Sequence, residues 1–184
     1  MIVIEGPDGS GKTTLVRYLA ETLNLPVANK IVGSDLSVLA NKREWVDANL
    51  NVGIQRIIFD RHCLISEGIY GPLLRSTLPD EFKNFNWYAE SQRMFKAIQP
   101  MLIFCLPPLD EVKANVASDE VNPQGIKDMV EPIYWSYYHL AAGWPESIRW
   151  DYTRHQTENQ HEAAKAYISA KVETYLERRK LWID

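Results

Sequence analysis

Gly6-x-x-x-x-Gly11-Lys12-Thr13, inside "EGPDGSGKTT" at residues 5–14, has the spacing of a phosphate-binding loop. In such a loop consecutive backbone N–H groups and the N-terminus of the next helix surround a polyphosphate. Gly6, Gly9 and Gly11 let the backbone approach phosphate oxygens, and Ser10 sits in the same cradle. Lys12 reaches the β- and γ-phosphates as a compact charge, the Thr13 hydroxyl is placed to ligate Mg²⁺, and Thr14 adds a hydrogen bond to an inner phosphate. Asp8 breaks the pattern. A carboxylate in the middle of an anion cradle repels the ligand unless it points away or serves a second, hydroxyl-bearing one.

A second pair of charged residues follows the apolar run "IIF". Asp60 ends that run, where a protein with this loop places a carboxylate near Mg²⁺. Arg61 comes next, with a planar fork of donors suited to phosphate oxygens. The four histidines, His62, His139, His155 and His161, share no ligand spacing and are assigned to no metal.

The elements that must position these residues follow from periodicity. "IVI" at 2–4 is a short β-branched run ending at the glycine loop, which reads as a buried parallel strand. Leu15, Leu19 and Leu23, with Val16 and Ala20 beside them, predict a helix closed by Asn24 and Pro26. "PVANKIV" predicts a weaker second strand, and Leu36, Leu39, Val46 and Leu50 a bent helix from Ser34 or Asp35. "IQRIIFD" at 54–60 predicts the next strand. A long helix to Ile98, carrying Phe82, Phe85, Tyr88, Gln92 and Phe95 near one face, stops before Pro100. "MLIFCL" at 101–106 is the clearest strand, and "PPLDEVKANV" a helix start with Asp110 and Glu111 at its positive end. Ile126, Val130, Ile133, Tyr137 and Leu140 give another helical stripe, "SIRWDYT" a last strand, and residues 159–179 a C-terminal helix. Residues 116–125 are the most loop-like stretch. Alternating strands and helices imply an α/β fold with a parallel sheet covered on both faces and ligands beyond the carboxyl ends of its strands.

The 184 residues suffice for one well-buried core, so a single domain is expected. Hydrophobic residues make up 46% and charged residues 24%, which argues against disorder. A formal net charge of −4 without a block of like charges argues against nucleic acid as the main partner. Cys63 and Cys105, far apart and outside any C-x-x-C pattern, suggest buried thiols rather than a disulfide or zinc site. No apolar segment reaches the length of a bilayer span, and Met1 runs straight into the glycine loop, so a cytoplasmic protein without membrane attachment is expected.

"IEGPDGSGKTTL", "IIFDRH" followed by Ser66 and Tyr70, the strand "MLIFCLPPLDEV", and the closing strand plus helix together resemble thymidylate kinase and its relatives among the nucleoside monophosphate kinases. The resemblance implies a three-layer α/β/α P-loop kinase fold with about five parallel strands, a core of residues 1–113 and 129–184 and a short lid at about 114–128. It implies transfer of the γ-phosphoryl of ATP to a deoxynucleoside monophosphate with Mg²⁺, and a homodimer. Lys12, Asp60 and Arg61 carry the catalysis on this reading, with Thr13 and Asp60 at the metal. Asp8 accepts a hydrogen bond from the acceptor's sugar 3′-hydroxyl, and Arg61 bridges the donor and acceptor phosphates.

The chain departs from that family in lacking an arginine in the loop, where Gly9 stands, and in residues 114–128, which offer Lys127 beside Asp119 and Glu120. That absence either slows the enzyme or passes the charge-neutralising task to Arg75, Arg93 or Lys113. The arginine box after the second strand is also missing, leaving Lys30. Candidates for the acceptor are Lys30, Ser66, Glu67, Tyr70, Trp87, Tyr88 and Arg93, with a helix N-cap as the other use of Ser66 and core packing that of the aromatic rings. "YWSYYHLAAGW" at 134–144 reads as core or dimer surface, and "RHQTE" as a solvated loop, with a contact to adenine as its other use. Two rival activities remain: a kinase of a nucleoside or other small hydroxyl acceptor, with Asp35 or Glu67 as base, and a nucleotide-gated binding module that hydrolyses ATP slowly.

Overall fold

The computed structural model describes residues 1–28, 46, 47, 50, 56–75, 85–120, 124–144, 146–155 and 157–180. Its sheet is built from β1 (Ile2–Glu5), β2 (Ile58–Asp60), β3 (Met101–Cys105) and β4 (Ile148–Trp150), all parallel, in the order β2-β1-β3-β4. The helices bounded among the described residues are α1 (Lys12–Leu23), α2 (Cys63–Arg75), α3 (Phe85–Ile98), α4 (Leu109–Ser118), α5 (Gln124–Ala142) and α6 (Glu158–Lys180), with a 3₁₀ turn at Tyr152–Arg154.

Strand alternation sorts the sheet's side chains into two cores. Met1, Val3, Phe59, Leu102 and Phe104 face one way, onto buried residues of α2 to α5 such as Leu64, Phe95, Val112 and Tyr137. Ile2, Ile4, Ile58, Ile103 and Cys105 face the other, onto Leu15, Val16 and Leu19 of α1 and Ile168, Val172 and Leu176 of α6. The arrangement is the three-layer α/β/α sandwich expected from alternating strands and helices. Both cysteines are buried and free. Among the described residues no helix is long and apolar enough to cross a membrane.

Four strands are described where about five were expected. The "PVANKIV" segment pairs with β2 through the single bridge Val27–Ile58, helped by Ala28 N–H to Ile58 O at 2.8 Å, and from residue 29 onward lies outside the described residues. β2 is three residues long, so the strand expected over 54–60 covers only its last part. Most of the bent helix expected from Ser34, and Phe82 of the next one, also lie outside the described residues.

Of the stretch read as loop at 116–125, residues 116–118 and 124–125 are helical, 119 and 120 are not, and 121–123 lie outside the described residues. α4 continues to Ser118 because Val112 and Val116, one turn apart, both bury against the core, and α5 begins at Gln124. Sequence reasoning gave the acidic and polar composition there more weight than the spacing of the two valines.

Candidate functional site

The glycine loop joins β1 to α1 at the carboxyl edge of the sheet, where α/β folds bind ligands. Gly6 has φ 145°, and a Cβ there would lie 2.5 Å from the Cys105 carbonyl oxygen of β3, so only glycine fits. Gly9 has φ 73°, and a Cβ would meet Val116, Asn115 and the Val112 carbonyl oxygen at 3.0–3.1 Å. The end of α4 therefore presses on the loop and leaves no room for an arginine at position 9. Asn115 fastens this contact by donating to Gly9 O at 2.9 Å and Tyr152 OH at 2.8 Å, while Tyr152 donates to Glu111 at 3.0 Å.

A cavity of about 550 Å³ opens over the loop. Asp8, Gly9, Ser10, Gly11, Lys12, Thr13 and Thr14 line it from below, with Arg61 at one side. Asn115, Asp119, Trp150, Tyr152, His161 and Lys165 form the rest of its wall. Thr13 and Thr14 are exposed to it, whereas Lys12 is buried and caps the Pro7 carbonyl oxygen. Burial lowers the Lys12 ammonium to about 8, with Arg61 pushing the same way and Asp8, Cys105 and Asp60 opposing.

Asp8, Arg61 and Tyr70 close a ring. Nη2 of Arg61 donates to Asp8 Oδ1 at 2.8 Å and to Tyr70 OH at 2.7 Å, and Tyr70 OH donates to Asp8 Oδ2 at 2.9 Å. The same Nη2 reaches Gly6 O at 3.2 Å. Burial by itself raises the Asp8 carboxyl, but Arg61, Lys12 and the bonds from Tyr70 and Arg61 outweigh it and hold the group below its usual range. The carboxylate in the anion cradle is thus already neutralised by a cation from the next strand.

Arg61 has φ 70°, a left-handed conformation uncommon for a residue with a side chain. Both peptides beside it are pinned by β1: Arg61 N–H donates to Ile4 O at 2.9 Å, and His62 N–H to Glu5 Oε1 at 2.7 Å. Asp60 is buried at the end of β2, close enough to Lys12 and Cys105 to act on both electrostatically. His62 lies between Phe59 and Phe95, and burial lowers its imidazole to about 3, so it stays neutral.

The other expected residues fall elsewhere. Ser66 is inside α2 with its hydroxyl on His62 O at 3.2 Å, not at an N-cap. Glu67 is buried in the same helix. Trp87 is buried and donates to Asp47 at 2.9 Å, and Tyr88 accepts from Gln92 at 3.0 Å. Arg93 is exposed on α3 and does not line the cavity. Lys113 pairs with Glu131 of α5 at 2.6 Å. Lys30 and Asp35 lie outside the described residues. Within "YWSYYHLAAGW", Tyr134, Tyr137 and Ala141 are core, while Trp135 and Tyr138 are exposed.

Sequence reasoning missed Glu5, Asn115, Tyr152, His161 and Lys165. Glu5 carried a signal, since an acid inside an apolar strand has to be partnered when buried. Lys165 carried none: it reaches the cavity from α6, more than 150 positions beyond the loop, and its ammonium sits 2.9 Å from Glu162 and 5.2 Å over the Tyr18 ring.

Mg²⁺ fits the donor set. It takes one or two protein oxygens and fills its remaining positions with water and phosphate oxygens. Thr13, exposed to the cavity, and Asp60, buried beside Lys12, are oxygen donors of the kind such a site takes, and no cluster of three or more acidic, histidine or cysteine side chains that could hold a metal occurs among the described residues.

No family model matches the chain, and no curated protein sequence does. Among solved structures, the chain is similar to the YorR protein of Bacillus subtilis in complex with phosphorylated GDP, at 18% identity and TM-score 0.59, covering 95% of this chain and 97% of that one. It is similar to deoxyadenosine kinase of M. mycoides with bound dCTP at 12% identity and TM-score 0.61, covering 92% and 100%. It is also similar to shikimate kinase of Acinetobacter baumannii in complex with shikimate at 13% identity and TM-score 0.52, covering 94% and 93%. The chain has the α/β fold of these P-loop kinase structures.

Proposed function

We propose that the chain is a phosphotransferase that moves the γ-phosphoryl of ATP to a nucleoside monophosphate, in the manner of thymidylate kinases. The observation that carries the reading is the Asp8–Arg61–Tyr70 ring beside Lys12. A loop serving only a donor nucleotide has no use for a carboxylate at its centre. A site for two nucleotides does, with Asp8 turned to the acceptor's sugar hydroxyl and Arg61 between the two phosphates. The buried Nε of Arg61 and Oγ of Ser10 have no hydrogen-bond partner among the described residues, and such unspent donors suit phosphate oxygens.

An acceptor phosphate is already anionic, so no strong base is required, and catalysis is alignment plus charge neutralisation. Lys12 leaves the Pro7 carbonyl for the donor's phosphates, and desolvation of its ammonium makes that exchange favourable. Arg61 holds the acceptor phosphate while Asp8 and Tyr70 fix its guanidinium plane. Thr13 and Asp60 would hold Mg²⁺, which would supply neutralisation of the charge on the transferred group. Of the cations beside the cavity, Lys165 joins Lys12 and Arg61, and it takes the place of the absent lid arginine. The end of α4, which brings Asn115 and Asp119 to the cavity, forms the lid that excludes water.

A kinase of a nucleoside or other hydroxyl acceptor is the second reading, favoured by the likeness to deoxyadenosine and shikimate kinases. It requires a carboxylate base at the hydroxyl. Asp8 is poorly suited, because Arg61 and Tyr70 engage both of its oxygens. Thymidine and thymidine monophosphate offered side by side with labelled ATP separate the readings: label in thymidine diphosphate supports the first, and label in thymidine monophosphate the second.

A further inference from the structure

Glu5 ends β1 with its side chain on the Val3 face, fully buried. Its two oxygens serve different elements: Oε1 accepts from His62 N–H at 2.7 Å, at the turn after β2, and Oε2 accepts from Tyr137 OH at 3.0 Å, on α5. A buried acid that engages neither a ligand nor another side chain's charge directly is costly, and a strand end has cheaper ways to finish.

What it gains is control of Arg61. The left-handed backbone of that residue survives because two consecutive β1 positions grip its two flanking peptides, Ile4 through a carbonyl and Glu5 through a carboxylate. With φ fixed near 70°, the side chain folds back over the glycine loop to Asp8 and Gly6. Released, the turn relaxes toward ordinary backbone and the guanidinium leaves the loop.

We propose that Glu5 is the positioning residue of the site: its ionised carboxylate holds the Asp60–Arg61–His62 turn and so sets where Arg61 meets the acceptor phosphate. The proposal rests on the kinase reading above for its consequence in turnover, but its geometric part stands apart from it. The charged and titratable groups facing Glu5 come from every element around it. Lys12 lies on α1, Arg61 and His62 in the turn after β2, Tyr70 on α2, Cys105 on β3, and Tyr137 on α5. Burial raises the Glu5 carboxyl to about 7 against the opposing His62 bond, Arg61, Tyr137 and Lys12. Lys12, lowered to about 8, gives an alkaline limb; burial takes His62 down to about 3 and Cys105 up to about 12, outside the range of interest.

Glu5→Gln tests this: the amide fills the same space, so the fold is kept, but its neutral oxygen accepts from His62 N–H without the charge assistance of a carboxylate, which weakens the grip on the turn. Two measurements are made on the wild type and the variant. The first follows the His62 amide proton by NMR between pH 5 and 9: a titration centred near 7 in the wild type and absent in Glu5→Gln is expected. The second is the pH profile of kcat/KM for the acceptor monophosphate. The wild type loses activity below about pH 7, beyond the limb near 6 that belongs to the monophosphate itself. On the acid side Glu5→Gln keeps only the limb near 6, and at pH 8 it is about ten- to a hundredfold slower than the wild type, as expected when a reacting group is misplaced. An unshifted His62 amide in the wild type, or a variant with the wild-type profile, overturns the proposal, and so does a variant merely less stable with an unaltered profile. A wild type that phosphorylates no monophosphate sinks the functional reading instead, and the amide titration then decides the role of Glu5 alone.

Discussion

Nη2 of Arg61 lies 2.8 Å from Oδ1 of Asp8, joining the turn after β2 to the centre of the glycine loop across 53 positions of sequence. Both side chains are about three-quarters covered, so water screens the pair less than it would on an open surface. The pair explains how an anion cradle tolerates a carboxylate.

Asp8→Asn and Tyr70→Phe are therefore expected to act on the acceptor. Each removes one link of the ring and frees the Arg61 guanidinium, raising KM for the monophosphate about tenfold while leaving KM for ATP within about twofold. The double variant costs less than the product of the singles, because the two residues constrain the same group. Steady-state kinetics with each substrate varied in turn decide it. Equal losses for both substrates contradict the assignment.

On the proposed reading Lys12 serves the donor side. Lys12→Ala should lower turnover by at least about a hundredfold with an unchanged far-ultraviolet spectrum, as loss of one preorganised charge at a transferred phosphoryl implies. In the free protein its ammonium is lowered to about 8, and polyphosphate raises it again, so nucleotide binding near pH 8 takes up protons and affinity falls as pH rises through 8. Calorimetry in two buffers of different ionisation enthalpy measures the uptake. Its absence in Lys12→Ala identifies the group.

The loop and its motif residues were legible because the phosphate-binding spacing is local. So was the alternation of strands and helices, since each carries its own period. The ring that gives Asp8 its partners was legible only in part. "DRH" named Arg61, but nothing in the chain announces that Arg61 adopts φ 70° and turns back onto the loop. The long-range members were silent: Asn115 and Lys165 look like ordinary helix-surface residues until the fold brings them to the cavity. Arg93 and Lys113 failed as neutralising candidates for the converse reason, because their helices point them to solvent or to Glu131.

Burying Glu5 has a cost in stability. Its pKa is raised from 4.5 to about 7, so the folded state binds a proton between those values that the unfolded chain has released. This contribution favours folding below pH 4.5 and is lost as pH rises to 7. Glu5→Gln removes the charge and should be more stable than the wild type above pH 7, by on the order of 2–3 kcal/mol, with the difference shrinking toward pH 5. Urea unfolding at pH 5 and 8 tests this. A variant less stable than wild type at pH 8 means that the carboxylate is worth more to the fold than burial costs.

Asn115→Ala should loosen the junction of α4 with the loop. Two partly buried hydrogen bonds, to Gly9 O and Tyr152 OH, are lost, at a combined cost of about 1–2 kcal/mol. Because Gly9 is then less well held, KM for ATP should rise while KM for the acceptor does not. An unchanged KM for ATP shows that α4 is packing alone.

The central claim is that a donor and an acceptor nucleotide meet over one loop. The direct measurement is the product balance of the purified protein with ATP and Mg²⁺, with and without each common nucleoside monophosphate. One ADP per nucleoside diphosphate formed, with negligible ATP loss when the acceptor is omitted, is the predicted result. ADP and inorganic phosphate appearing at the same rate whether or not any monophosphate is present would contradict it.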